Sequence, residues 1–159
     1  MNTVPQISLY DKLISYLKEK SVNFREISHR ETKTSVESAA ARGTKLKQGA
    51  KALLMFADNN PVLIVLSAAK KLDNAAFKKQ FEVKDLRMAT PEEVKQVSQV
   101  DIGAVPPFGN LFGVPVYVDE GFLLIEEIAF NAGSLSRSVI MKSADWKKLT
   151  TPKIGTYAI

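Results

Sequence analysis

The segment Gly103-Ala104-Val105-Pro106-Pro107-Phe108-Gly109-Asn110 narrows the possible folds more than any other part of the chain. Two glycines bracket two consecutive prolines. Each proline fixes φ and removes a backbone donor, and each glycine admits conformations closed to other residues. Neither a helix nor an ordinary strand accommodates that combination. A rigid loop with few conformations and exposed glycine amides is expected. Such a loop can bind oxyanions, phosphates or ester carbonyls through its N–H groups. It serves equally well as a plain connector between two strands, and its own residues do not decide between the two.

The flanking sequence alternates helical and strand-like patterns. Leu9, Leu13, Tyr16 and Leu17 recur at helical spacing over residues 8–20, with Ser8 as N-cap. Residues 24–27 alternate as a short strand, and 29–33 form a polar loop. Thr34 or Ser35 caps a second helix ending at Arg42 and Gly43, and Glu37 completes a capping-box pattern with Thr34. Residues 50–57 and 62–66 are apolar runs around Asp58-Asn59-Asn60-Pro61, a hairpin signal. Asp73 caps a third helix running through Gln80. Thr90-Pro91-Glu92-Glu93 opens a fourth, with proline at its first position and acids at its positive dipole end. Strands near 114–118, 123–128 and 138–141 follow, then a short helix at 144–149. At least two strand pairs are joined by short connections. That disfavours a doubly wound parallel sheet and predicts an α/β mixed (α+β) fold with helices packed around a mixed sheet.

A length of 159 residues fits a single domain, 1–159, able to bury a core without metal or disulfide staples. The absence of cysteine excludes disulfides, thiolate metal sites and a cysteine nucleophile. With one histidine, a zinc site would rest almost wholly on carboxylates, so no metal is expected. No apolar run has the length of a membrane span. The first residues include Asp11 and Glu19 and lack the apolar stretch of a signal peptide. A cytoplasmic protein without a membrane partner is expected. The net charge of +5 and pI of about 9.4 are compatible with an anionic partner such as nucleic acid, without demonstrating one.

Several side chains carry two readings. Lys51 stands at the edge of an apolar strand, where it either snorkels at a sheet edge or faces a cavity. Asp119 either orients a water or Lys51, or caps the turn at Gly121. Thr34 and Ser35 either cap a helix or donate into a pocket. Asn131, Gly133, Ser134 and Ser136 read by themselves as an Asx or Ser turn. His29 reads as solvated or hydrogen-bonded structure, with general-base chemistry as the alternative. Arg42, Lys45 and Lys47 form one basic group close to Lys51, and Lys70, Lys71, Lys78 and Lys79 a second. No aromatic residues interleave with them, so no stacking platform for single-stranded RNA is indicated.

Taken in order, these motifs resemble the YbaK/ProX family of aminoacyl-tRNA editing domains. They are Thr34-Ser35 through Arg42-Gly43, Lys51 in its apolar run, the 103–109 loop, Val114-Pro115-Val116-Tyr117-Val118-Asp119 and Phe130-Asn131-Ala132-Gly133-Ser134. The resemblance covers residues 24–149. It implies a mixed, partly barrel-like β-sheet flanked by helices, and a free-standing trans-editing hydrolase that cleaves the ester of mischarged aminoacyl-tRNA. Lys51 would hold the acceptor end, and the amides of Gly103, Ala104 and Gly109 would receive the ester carbonyl. Pro106, Pro107 and Phe108 would stiffen and anchor that loop. Asn131, Gly133, Ser134 and Ser136 would meet the aminoacyl group or terminal ribose, and Arg42, Lys45 and Lys47 the RNA. The resemblance also admits an aminoacyl-tRNA synthetase as a partner, and implies neither a DNA partner nor a cofactor. Many members carry an arginine-glycine pair soon after the Ala-Gly. Here Ser134-Leu135-Ser136-Arg137 places the arginine one or two positions late, which bears on the amino acid removed. A non-catalytic module of the same fold that binds tRNA or a synthetase is the rival reading. A small-molecule hydrolase or a nucleotide binder is a further rival, and the missing P-loop and dinucleotide fingerprints count against the latter.

Overall fold

The computed structural model describes residues 7–159. Helix α1 (Leu9–Glu19) is capped by the Ser8 hydroxyl, which accepts the Asp11 N–H, and it buries Leu9, Leu13, Ile14 and Leu17. Strand β1 (Phe24–Ser28) leads through a loop to helix α2 (Ser35–Arg42), which ends at Gly43 in the left-handed region. A 3-10 turn (Leu46–Gln48) precedes the hairpin of β2 (Ala50–Ala57) and β3 (Asn60–Ser67). Then come α3 (Asn74–Gln80), β4 (Leu86–Met88), α4 (Pro91–Ser98), a 3-10 turn (Gly109–Leu111) and β5 (Val116–Asp119). A third 3-10 segment (Glu120–Leu124), β6 (Glu127–Asn131), β7 (Arg137–Lys142), α5 (Ser143–Thr150) and β8 (Lys153–Gly155) complete the order. Among the described residues no helix is long and apolar enough to cross a membrane.

The strands form two sheets. One is antiparallel, in the order β1-β7-β6; the other is mixed, in the order β4-β2-β3-β5-β8. In the second, β2 pairs antiparallel with β3 and β4, while β3/β5 and β5/β8 are parallel. Among the described residues the sheets meet at a single bridge, between Gly49 and Ala129, and form no closed barrel. The fold is mixed α+β, and the barrel-like character goes no further than this corner. Both faces of β3 are covered. Leu63 and Val65 join α1, the antiparallel sheet and Trp146 in one cluster, whereas Val62, Ile64 and Leu66 pack with Phe77, Tyr117 and Tyr157. A strand buried on both sides reads as an unbroken apolar run.

Four local expectations need correction. The hairpin turn is only Asp58 and Asn59, both at positive φ (47° and 68°), the pattern of a type I′ turn, and Asn60 and Pro61 lie inside β3. Pro61 is tolerated because it stands opposite Phe56 in a non-hydrogen-bonded pair and lies outside the Leu63–Val65 stretch that meets β5. At α2, the Thr34 hydroxyl accepts the Glu37 N–H, but the Glu37 carboxylate accepts from Lys33, so no reciprocal box closes. The strand expected at 123–128 is shifted: the Asp119 carboxylate caps Glu120–Leu124 as a 3-10 segment, and β6 begins at Glu127. The three-residue strands β4 and β8 add to the expected elements; a run that short carries no readable periodicity.

Candidate active site

The proline-glycine loop divides into two parts. Its first part is exposed. The Ala104 N–H donates to the Asp101 carbonyl at 3.0 Å and Gly103 has φ of +89°, a type II turn whose third position calls for glycine. From Ala104 to Gly109 every residue is buried. The Pro107 carbonyl accepts the Trp146 indole N–H at 2.8 Å, and the Phe108 ring meets Tyr16 and Phe130. A Cβ on Gly109 would stand well inside contact distance of the Val114 carbonyl and 3.0 Å from Val116 Cγ2, so glycine is required there by close approach.

A cavity of about 420 Å³ lies beside the first part of the loop. Lys51 and Gly103, distant in sequence, both line it. Lys51 reaches it because β4 pairs only with residues 55–57 of β2 and leaves the Lys51 end of that edge uncovered. Its Nζ donates to the Lys70 carbonyl at 2.6 Å. Burial, and then the charge of Lys71, hold its pKa below the usual lysine value. Arg42 enters from the end of α2. Nε donates to Ser138 Oγ and Nη2 to Asn131 Oδ1, both at 2.8 Å, and burial lowers its pKa to about 10. Among the described residues no carboxylate lines the cavity, and none lies within ion-pair distance of Lys51 or Arg42. Within the same residues, the Gly103 N–H makes no hydrogen bond. The lining therefore includes two partly desolvated cations and Gly103 with its N–H unpaired among the described residues, groups of the kind that suit an anionic oxygen.

The remaining sequence candidates separate clearly. Thr34, Ser35 and Asn131 line this cavity; Thr34 does so while its hydroxyl caps α2. Pro106, Pro107, Phe108 and Gly109 do not line it, because they plug the core. The Ala104 amide is already spent on Asp101, and Ala104 faces a second, wider groove. Gly133, Ser134 and Ser136 also border that groove, separated from the first cavity by Leu135, which lines both. Ser134 Oγ accepts the Ser136 N–H at 3.1 Å, a local Ser turn, and Gly133 lies so close to α1 that a Cβ would stand 3.0 Å from the Tyr10 nitrogen. Asp119 is buried elsewhere, its carboxylate accepting from Gly121, Tyr157 and Ala158 N–H groups. Lys45 and Lys47 are exposed on the turn between α2 and β2. His29 is hydrogen-bonded structure: its ring meets Ser138 Oγ and the Arg30 carbonyl.

Three polar lining residues, Thr32, Lys33 and Ser38, are not among the sequence candidates. Thr32 and Ser38 are buried, with hydroxyls 2.7 Å apart. A signal existed: Ser35, Ser38 and Arg42 follow each other at helical spacing, which puts them on one face of α2.

The profile of the aminoacyl-tRNA editing domain family matches residues 29–149, a span that includes every residue lining the Lys51 cavity. The chain belongs to that family. The Multifunctional Ser/Thr-tRNA deacylase ProXp-y of Escherichia coli (strain K12) is 32% identical over 153 residues, which is 93% of this chain and 92% of that protein. The proline--tRNA ligase of Solidesulfovibrio magneticus is 33% identical over 85 residues, 53% of this chain and 14% of the ligase. A solved structure described as a candidate trans-editing enzyme for prolyl tRNA synthetase has the same fold. It superposes with a TM-score of 0.83 at 24% identity, over 98% of this editing domain and 99% of that chain.

Proposed function

We propose that this editing domain acts in trans as an aminoacyl-tRNA deacylase whose reaction takes place between Lys51 and Gly103. The observation that carries the reading is the shared cavity: Gly103, with its N–H unpaired among the described residues, and the carboxylate-free Lys51 line one site that falls inside the family match. In the reaction, water oxygen adds to the ester carbonyl carbon, the bond to the ribose oxygen breaks, and the water's proton ends on that oxygen. Free amino acid and the tRNA 3′ end are released. The Gly103 N–H receives the developing oxyanion, and the Lys51 ammonium holds an anionic oxygen of the acceptor end. The hydroxyls of Thr32 and Ser38 bond to each other, and among the described residues neither has a carboxylate or imidazole partner to activate it as a nucleophile. Catalysis then rests on positioning and electrostatics.

The amino acid removed is serine or threonine, in line with the name of the E. coli relative and with the hydroxyl-lined wall of the cavity. Lys33, Lys45, Lys47, Lys70 and Lys71 take part in no ion pair among the described residues, and they supply phosphate contacts for tRNA. The chain works as one domain in the cytoplasm. The similarity to a segment of a proline--tRNA ligase favours a prolyl-tRNA synthetase as second partner. The test is hydrolysis of a panel of seryl-, threonyl- and alanyl-tRNAs. Release of serine or threonine is expected. Binding of these tRNAs without hydrolysis of any would replace the deacylase with an accessory binder.

A further inference from the structure

A chain of hydrogen bonds runs from His29 to the turn at Gly103, and for a neutral imidazole each link has one possible polarity. The Gly103 carbonyl only accepts, so the Asn131 amide offers it Nδ2–H, at 2.6 Å. The Oδ1 atom of Asn131 is thereby left to accept from Arg42 Nη2. Arg42 Nε donates to Ser138 Oγ, whose own proton is left for His29 Nε2 at 2.8 Å. His29 Nδ1 then carries the ring proton and donates it to the Arg30 carbonyl at 2.7 Å. With the imidazole neutral, the Asn131 flip and the His29 tautomer both follow from these partners.

The geometry explains why an arginine stands at this point. Asn131 and Ser138 face each other across β6 and β7, so their side chains rise on the same face a few ångströms apart. The guanidinium fork spans that pair with two donors on one rigid plane. Its partners are an amide and a hydroxyl, so it does not serve to neutralise an acid. What it holds is the Asn131 amide, and the amide holds the turn. Asp101, Ile102 and Gly103 are exposed. Besides the exposed Lys95–Asp101 ion pair, the Asn131 bond is the only side-chain hydrogen bond tying these three residues to the body of the protein, among the described residues.

We infer that Arg42 is a positioning residue for deacylation, acting through Asn131 to hold the Gly103 turn against the cavity wall. The inference rests on the proposed role of the Gly103 amide. It replaces a phosphate contact for Arg42 with a task inside the protein. Ser138 supports the guanidinium from the far side, and His29 orients Ser138.

The experiment combines turnover of seryl- and threonyl-tRNA with the backbone amide signal of Gly103 in ¹⁵N-labelled protein, for Arg42→Lys, Asn131→Ala, Ser138→Ala and the Arg42→Lys/Asn131→Ala double variant. Thermal unfolding identifies the variants that fold. Arg42→Lys and Asn131→Ala are each expected to lower kcat by roughly 10–100-fold, with KM within about threefold of wild type. Each shifts the Gly103 amide and speeds its exchange. The double variant is expected to be no worse than the poorer single one, because the two residues act in series. Ser138→Ala gives a smaller loss of the same kind. Additive losses, or a loss carried by KM, would mean that Arg42 meets the substrate itself and would overturn the inference. An unchanged Gly103 amide in folded Arg42→Lys protein would also overturn it. If the wild-type protein hydrolyses none of the charged tRNAs, the deacylase reading fails, and the amide signal still decides whether Arg42 holds the turn.

Discussion

Replacing Lys51 by methionine keeps the aliphatic stem along the cavity wall and removes the ammonium. Burial and the charge of Lys71 depress the lysine's pKa in the folded protein, so the folded state disfavours the charged form more than the unfolded chain does. At neutral pH that charge opposes folding. Its cost fades as pH rises from the folded-state pKa towards the unfolded value of 10.5, because the folded protein sheds the proton first. The bond from Nζ to the Lys70 carbonyl partly offsets the cost. Lys51→Met is therefore expected to lie within about 1 kcal/mol of wild-type stability or slightly above it, a Tm shift of no more than about 4 °C. Any advantage of the variant should shrink as pH approaches the unfolded value. Turnover behaves quite differently: loss of the ammonium that grips the acceptor end costs about 10²–10³ in kcat/KM. Lys51→Arg should rescue poorly, since a planar fork does not occupy the space of a compact ammonium beside the Lys70 carbonyl. The assay is deacylation of seryl- or threonyl-tRNA beside thermal unfolding at pH 7 and at stepwise higher pH. Near-wild-type turnover by folded Lys51→Met protein would refute the reasoning.

Gly109→Ala should destabilise the fold by about 3 kcal/mol, because the obstructing atoms include the Val114 backbone; an unchanged denaturation midpoint would contradict the close approach. Asp119→Ala should cost about 2–4 kcal/mol, since it strands the N–H groups of Gly121, Tyr157 and Ala158, and should leave deacylation intact below the new Tm. Full stability with lost activity would return Asp119 to the site. The affinity for tRNA should fall with salt, and Lys45→Ala/Lys47→Ala should flatten the log–log salt slope by about 1.5. A slope unchanged by that double substitution would remove these lysines from the interface.

The starts of α1 to α4 were legible because each is written within four residues: Ser8, Thr34, Asp73 and Thr90 all cap through their side chains as their positions indicated, whereas α5 starts without a side-chain cap. The β2–β3 hairpin was legible from two apolar runs around a turn tetrapeptide. The stretch at 123–128 was not, because its apolar residues gave no sign that the Asp119 carboxylate would bend the chain into a 3-10 segment. Within the site, Lys51 stood out as a cation in an apolar strand. The Thr32–Ser38 pair did not, since a buried hydroxyl pair looks in sequence like two ordinary polar residues.

By itself the sequence determined what local sterics and periodicity control. It gave the capped helices, the hairpin, a mixed α+β architecture and a rigid proline-glycine loop, and its motifs carried the family resemblance. Only the tertiary structure decided how that loop is used. Gly103 and Gly109 are the same residue type six positions apart, yet one lines a cavity with its N–H unpaired among the described residues and the other lies under the Val114 carbonyl. Arg42 read as a surface cation until β6 and β7 brought Asn131 and Ser138 within reach of its guanidinium. Asp119 read as a possible site acid until the C-terminal segment offered it two N–H groups. In each case the deciding partner is distant in sequence or lies across a packed core. Whether a polar group is free for chemistry depends on whether folding supplies that partner, and sequence spacing does not encode it.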